Sequence, residues 1–194
     1  MISDIAKSAD LVSGAVQANG GSTEQLKGGG VFRVECHDSE GNLKWVAEEH
    51  NLVVNVGLQD MNTQYFKGSA YTAAWYIGLY GAGASNTPAA GDTMSSHAGW
   101  TEFVNYSQAT RPAATFGTAT TANPSVISNS ASAAVYTING AGGTVGGAFL
   151  TSNSTKSGTT GILFSASDFT SPGDRATVSG DTLTVTYTFS LTAT

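Results

Sequence analysis

The sequence predicts an all-β fold: a β-sandwich of jelly-roll type with one short helix and an N-terminal helical or extended arm. Three observations carry this. Short apolar or alternating runs recur along the chain between Gly, Ser and Asn turns. The last run alternates cleanly, with Leu183, Val185, Tyr187, Phe189 and Leu191 on one side and Thr184, Thr186, Thr188 and Ser190 on the other. The stretch Ala74 to Glu102 brings two aromatic runs around a long small-residue loop and holds two of the three tryptophans. Trp45, Trp75 and Trp100 are accordingly expected to anchor the core.

Composition bounds the rest. A chain of 194 residues is long enough for one real core. We divide it into an arm and glycine-rich linker over 1–30 and a β-sandwich domain over 31–194. Charged residues make up 11%, against about 25% in an average globular chain. Gly, Ala, Ser and Thr take their place, a composition suited to burial against other subunits, so a homo-oligomer is expected. The net charge of -6, with eight Lys and Arg scattered along the chain, excludes the basic face that nucleic acid requires. A single cysteine, Cys36, allows no internal disulfide and reads as a small buried hydrophobe. Met1 to Lys7 has neither the basic nor the apolar region of a signal peptide, and no membrane span is expected.

In chain order, Ile2, Ile5, Ala9, Val12 and Val16 step by three and four, one face of a helix. Such a short helix is marginal alone, so its stripe must dock; Ile2, Ile5, Val12 and Val16 are the expected partner-binding residues. Gln17 to Gly30 is the linker. Val31 to His37 alternates, Asp38 to Asn42 is a turn, and Leu43 to Glu48 completes a hairpin. Leu52 to Val56 continues as strand. Leu58, Met61 and Tyr65 predict a helix near Leu58–Phe66, capped by Asn55 and stopped by Gly68. Further strands are expected at Thr101–Tyr106, Ala113–Thr118, Ser132–Ile138, Thr144–Thr151, Gly161–Ser165, Ala176–Val178 and Thr182–Thr192. Gly91-Asp92-Thr93-Met94 and Gly180-Asp181-Thr182-Leu183 echo one another, and both read as strand-entry turns.

No residue set assembles a catalytic site. His37 and His50 lie near Glu35, Asp38, Glu48 and Glu49, but without the fixed spacing of metal ligands. His97 and Glu102 flank Trp100 and could do acid–base work, yet no nucleophile motif accompanies them. His97 is better read as a hydrogen-bonded loop residue. Gly140 to Gly147 lacks the Gly-Lys-Ser/Thr ending of a phosphate loop and reads as a tight hairpin with a close strand crossing. Trp45, Trp75, Trp100, Tyr76 and Tyr80 could form a carbohydrate platform, but aromatics in a β domain are usually core. The expectation is no catalytic residue, no metal and no cofactor.

Several pieces carry a resemblance. They are His50-Asn51-Leu52-Val53-Val54-Asn55, then Tyr71-Thr72-Ala73-Ala74-Trp75-Tyr76-Ile77-Gly78-Leu79, then Ala90 through Gly91-Asp92-Thr93-Met94 to Glu102. Asn129-Ser130-Ala131-Ser132, Gly147-Ala148-Phe149-Leu150 and Gly180-Asp181-Thr182-Leu183 follow in order. From about Val31 to the C-terminus the chain resembles small virion structural proteins of tailed bacteriophages. The resemblance implies a non-enzymatic particle protein, foremost a capsid decoration or cement protein bound to the major capsid protein. It would be made in the host cytoplasm and placed on the capsid exterior, where an acidic surface stays away from the genome. The alternative is a tail or head-fibre component that contacts a host surface or glycan.

Overall fold

The structure, a computed structural model, describes residues 25–68, 74–82, 87–170 and 173–194. The arm stripe of Ile2, Ile5, Val12 and Val16 lies outside the described residues, as does the linker up to Glu24. The strands are β1 (Leu26–His37), β2 (Leu43–His50), β3 (Leu52–Val53), β4 (Tyr76–Gly81), β5 (Glu102–Phe103), β6 (Ser125–Ser128), β7 (Ala134–Thr137), β8 (Gly143–Thr151), β9 (Leu163–Asp168), β10 (Arg175–Thr177) and β11 (Thr182–Ala193). Helix α1 (Asn55–Asn62) runs on into a π-helical turn, Thr63–Lys67.

Two antiparallel sheets form a sandwich, as the alternation predicts. The first has the order β2-β1-β11-β6, and β7 also pairs with β11. Because β6 pairs with Thr188–Leu191 and β7 with Thr182–Val185, the two act as one interrupted strand along β11. Buried Asn129 fills the break. Its Oδ1 accepts the Tyr187 N–H at 2.7 Å, its own N–H donates to the Tyr187 carbonyl, and its Nδ2 donates to the Val185 carbonyl at 3.4 Å. The second sheet has the order β3-β9-β8-β4-β5, and β10 continues the β9 track along β8.

Phe32, Val34 and Cys36 from β1 and Leu183, Val185, Tyr187 and Phe189 from β11 meet Ile77, Leu79, Ala148 and Leu150 from the second sheet. Tyr136 donates its hydroxyl to the Ile77 carbonyl at 2.6 Å, tying the sheets together without an unpaired polar group. The crossover from β2 to β3 is fixed by Asn51, which pairs with the Gly30 backbone and donates to the Tyr187 hydroxyl at 2.8 Å. Cys36 is fully buried as expected, and burial pushes its thiol up to about 12.

The structure departs from the predicted elements at several points. β1 begins at Leu26, so the last five residues of the predicted linker belong to the sheet, where they pair with Phe189–Ala193. Glycines reach there because the Tyr187 ring fills the inner side of Gly30, where a Cβ would lie 2.4 Å from its hydroxyl. Helix α1 takes Val54 at its N-cap and has no side-chain cap. The Asn55 N–H donates to the Ala90 carbonyl instead. Gly68 ends the helical segment in the left-handed region, as expected. Ala113–Thr118 is no strand beyond one bridge from Ala113 to Tyr76, whereas Ser125–Ser128, which lacks an alternating apolar signal, is one.

Candidate functional site

The outer face of the second sheet carries a further layer. Tyr80, Phe149, Leu163 and Ala166 point outward from the sheet and are covered by Val54, Met94 and Trp100. Glycines make room for the rings. Gly78 lies opposite Phe149 and Gly147 opposite Tyr80. A Cβ on Gly78 would stand 2.0 Å from the Phe149 ring, and one on Gly147 would stand 2.1 Å from the Tyr80 ring. The hairpin predicted for the glycine run does not form, because β7 and β8 lie in different sheets. Gly140 and Gly142 make a positive-φ turn that passes the chain from one sheet to the other, and the close approach is that of Gly147 to its neighbours within the second sheet.

Trp100 is the anchor of this layer, 3% exposed, with ring centroids 5.1 Å from both Tyr80 and Phe149. Its Nε1 donates to Asp92 Oδ2 at 3.2 Å. Trp45 and Trp75 are only half-buried and pack at the margin of the main core, against Phe169 and Phe164 respectively. The two Gly-Asp-Thr echoes prove to be one local device. Asp92 Oδ2 accepts the Ala89 N–H at 3.0 Å, and Asp181 Oδ2 accepts the Val178 N–H at 2.9 Å, each from three residues back. Each buried carboxylate then takes a distant donor, Trp100 in one case and Lys44 Nζ at 2.6 Å in the other. The second turn opens a strand. The first does not, because Met94 turns into the outer layer.

Above this layer a cleft of about 260 Å³ opens between the loop carrying Met94 to Thr101 and the loop carrying Ser157 to Thr159. Its wall holds a buried ion pair. Arg111, 1% exposed, donates through Nε and Nη2 to the two oxygens of Glu102, both at 2.8 Å. Its Nη1 donates to the Asn153 carbonyl at 2.8 Å, and Nη2 also reaches the Gly158 carbonyl. The guanidinium lies 5.2 Å from the Phe149 ring centroid. Glu102 accepts a third bond from the Ser157 N–H, which holds Ser157 at a φ of 55°. Lys156 closes the same loop: it sits 3.8 Å from the Tyr106 ring centroid and donates to the Tyr106 carbonyl. Burial draws its ammonium below the ordinary lysine range.

His97 and Glu102 line this cleft as the sequence suggested, but they are not a working pair. His97 Nδ1 bonds to the Trp100 carbonyl at 2.9 Å and its ring stacks on Trp100 at 3.8 Å, the hydrogen-bonded loop role expected of it. The carboxylate belongs to Arg111, which the sequence reading missed. In a chain with so few charges, an Arg between Thr110 and Pro112 among small residues was the available signal. The other histidines lie elsewhere, His37 on β1 and His50 on β2, and the acids around them are occupied. Glu35 and Glu48 pair with Arg33, Asp38 closes its own turn with Asn42, and Glu49 accepts Thr170 N and Oγ1, each at 2.9 Å. Among the described residues no group of three His, Cys, Asp or Glu is placed to hold a metal ion, and no helix is long and apolar enough to cross a membrane.

The chain matches no protein-family model, no curated protein and no solved structure.

Proposed function

We propose that this chain is a non-enzymatic structural protein of a tailed-phage particle, a homo-oligomer that decorates the shell and stabilises it by binding the major capsid protein. What carries the reading is the resemblance, in sequence order from about Val31 to the C-terminus, of the stretches quoted in the sequence analysis. Two structural features support it. Arg111 and Glu102 in the cleft are spent on each other and on loop backbone groups. Leu58, Tyr65 and Phe66 present large apolar side chains to solvent on the helical segment, as a contact surface does. In this reading Ile2, Ile5, Val12 and Val16 add a second point of attachment, and two linked contacts bind more tightly than either alone.

Imaging of purified particles tests the proposal. Density for this protein over the head facets is the expected result, and its loss on deleting the gene should leave heads less resistant to heat or chelation. Density confined to the tail or to fibres overturns it in favour of the alternative, contact with a host surface or glycan. One feature speaks for that alternative: the cleft beside the stacked His97 and Trp100 rings is open to solvent and large enough for about one sugar ring. Retention of the protein on a glycan array, lost in His97→Ala, would favour it.

A further inference from the structure

The turn that carries the chain from β7 to β8 holds an asparagine unlike the other described ones. Asn139 is exposed and stands directly before Gly140, which is also exposed and has a φ of 59°. The turn is pinned at both ends. The Asn139 N–H donates to the Asn105 carbonyl at 3.1 Å, and the Gly142 N–H donates to the Asn139 carbonyl at 3.1 Å. Asn105 Nδ2 also donates to the Gly142 carbonyl at 2.6 Å. Between these pins, the Asn139 side-chain amide and the Gly140 N–H have no partner among the described residues. A Cβ on Gly140 would meet nothing within 4 Å, so the space beside its nitrogen is open. Elsewhere the side-chain amides are held: those of Asn51, Asn105, Asn123, Asn129 and Asn153 are all bonded. Every described asparagine except Asn139 also precedes a residue with a side chain.

We propose that Asn139 is a site of spontaneous modification, converted by ring closure on the Gly140 nitrogen to a mixture of aspartate and isoaspartate. The Gly140 nitrogen gives up its proton to solvent base and bonds to Asn139 Cγ. The Cγ–Nδ2 bond breaks, and the amide nitrogen takes up a proton and leaves as ammonia. A five-membered succinimide remains. Water then adds to either ring carbonyl. Opening between Cγ and the nitrogen gives aspartate in a normal chain. Opening between the backbone carbonyl carbon and the nitrogen gives isoaspartate, with the chain running through Cβ and Cγ. Water is the only co-reactant, and nothing is oxidised or reduced. Glycine favours the step because no Cβ crowds the attacking nitrogen, and neither pinning bond engages the two reacting atoms. The isoaspartate adds a methylene to a main chain held at both ends. Gly142 is packed on β10 so closely that a Cβ there would lie 2.2 Å from the Thr177 carbonyl, so the added length is not absorbed on that side. The bond from the Gly142 N–H to the Asn139 carbonyl is the one expected to break. The inference concerns the isolated chain and stands whether or not the particle reading holds.

Incubation of the purified full chain at mildly alkaline pH, followed by peptide mapping with mass spectrometry, tests it. Asn139 should convert at least about tenfold faster than any other described asparagine, because the uncrowded nitrogen lowers the barrier to closure. Both products should form, the isoaspartate being detected by isoaspartate-specific methylation. An Asn139→Gln chain, which keeps the glycine and the fold, should lose this fast conversion. Conversion of Asn139 no faster than that of the bonded asparagines overturns the proposal. So does conversion in the urea-unfolded chain but not in the folded one, because the turn would then protect the site.

Discussion

The two sheets solve the same problem by opposite means. The first sheet is buried on one face, and along β11 buried and half-buried residues alternate without a break from Thr182 to Phe189. The second sheet is buried on both faces, and β8 runs Val145 to Thr151 with no exposed residue. Sheets covered on both faces usually owe the second cover to helices, whose backbone bonds are internal. Here much of the cover is loop, and loop backbone must find partners of its own. That is why the second layer holds Asp92, Arg111 and Glu102 beneath its surface while the outer face of the first sheet carries a row of threonines. A loop layer buries apolar rings only as well as its polar pins hold it.

The pins give the largest expected effect. Glu102→Ala leaves the Arg111 guanidinium buried without its counter-charge, and losing one partner of a buried pair costs about 3–5 kcal/mol. A urea melt should show that loss, with faster proteolysis around Ser157 as the loop comes free. Replacing both partners, as Glu102→Leu/Arg111→Met, should recover part of it. If Glu102→Ala melts within error of the parent chain, the loop layer is held by its aromatic packing and the contrast between the sheets is misdrawn.

Glycines sharpen the comparison. Gly147→Ala forces a methyl into the Tyr80 ring and to within 2.2 Å of the Ser167 carbonyl, a backbone atom that cannot step aside. Overpacking of this kind costs about 1–3 kcal/mol or more. Gly29→Ala on the first sheet meets open space and should be neutral or slightly stabilising, since Ala has less unfolded-state freedom to lose. Equal thermal shifts for the two would mean that the second sheet yields where its crowding says it should not.

Asn129 is a buried polar pin of the first sheet. Asn129→Ala removes the side-chain partners of the Tyr187 N–H and the Val185 carbonyl, at a cost of about 1–3 kcal/mol, while the backbone bond to the Tyr187 carbonyl remains. Exchange of the Tyr187 amide should rise above that of its neighbours in β11. If it does not, β6 and β7 have closed the gap by themselves.

The same contrast explains what could be read from sequence. One wet face writes period two into β1 and β11, so those strands and their register toward the core were legible. The helix expected near Leu58–Phe66 was legible from Leu58, Met61 and Tyr65 and from the Gly68 stop, but it begins at Asn55, within the run Leu52–Val56 expected as strand, of which only Leu52–Val53 is one. Residues such as Ile77 and Tyr80 were seen as strand, but nothing local says that both faces of that strand are covered, so all three tryptophans were assigned alike to the core. Trp100 in fact anchors the loop layer, and Trp45 and Trp75 sit at the margin. Glu102, two residues after Trp100, drew notice with His97, three residues before it. Its real partner lies nine residues on, and no periodicity marks a contact made between a short strand and a loop. Ser125–Ser128 escaped for a related reason: it is a strand because β11 offers it an edge, not because its own residues alternate.

The smallest expected effect is a pH dependence at the rim of the second sheet. Asp168, at the end of β9, has its carboxyl raised above the usual range, first by burial and then by the charges of Asp174 and Glu49. A carboxyl raised in the folded state binds its proton more tightly there than in the unfolded chain. Its contribution to stability is therefore full at pH below the ordinary aspartate range and is lost as pH rises through the folded-state value. At neutral pH the ionised group works against the fold. Asp168→Asn should thus raise the melting temperature at pH 7 by a small amount, and the gain should shrink toward zero as pH falls to about 3, where the parent carboxyl is itself neutral. Melting curves for both chains across that range decide the point. A gain that persists unchanged at the acid end would mean that the asparagine acts through new hydrogen bonds and that charge crowding at this rim costs the fold nothing.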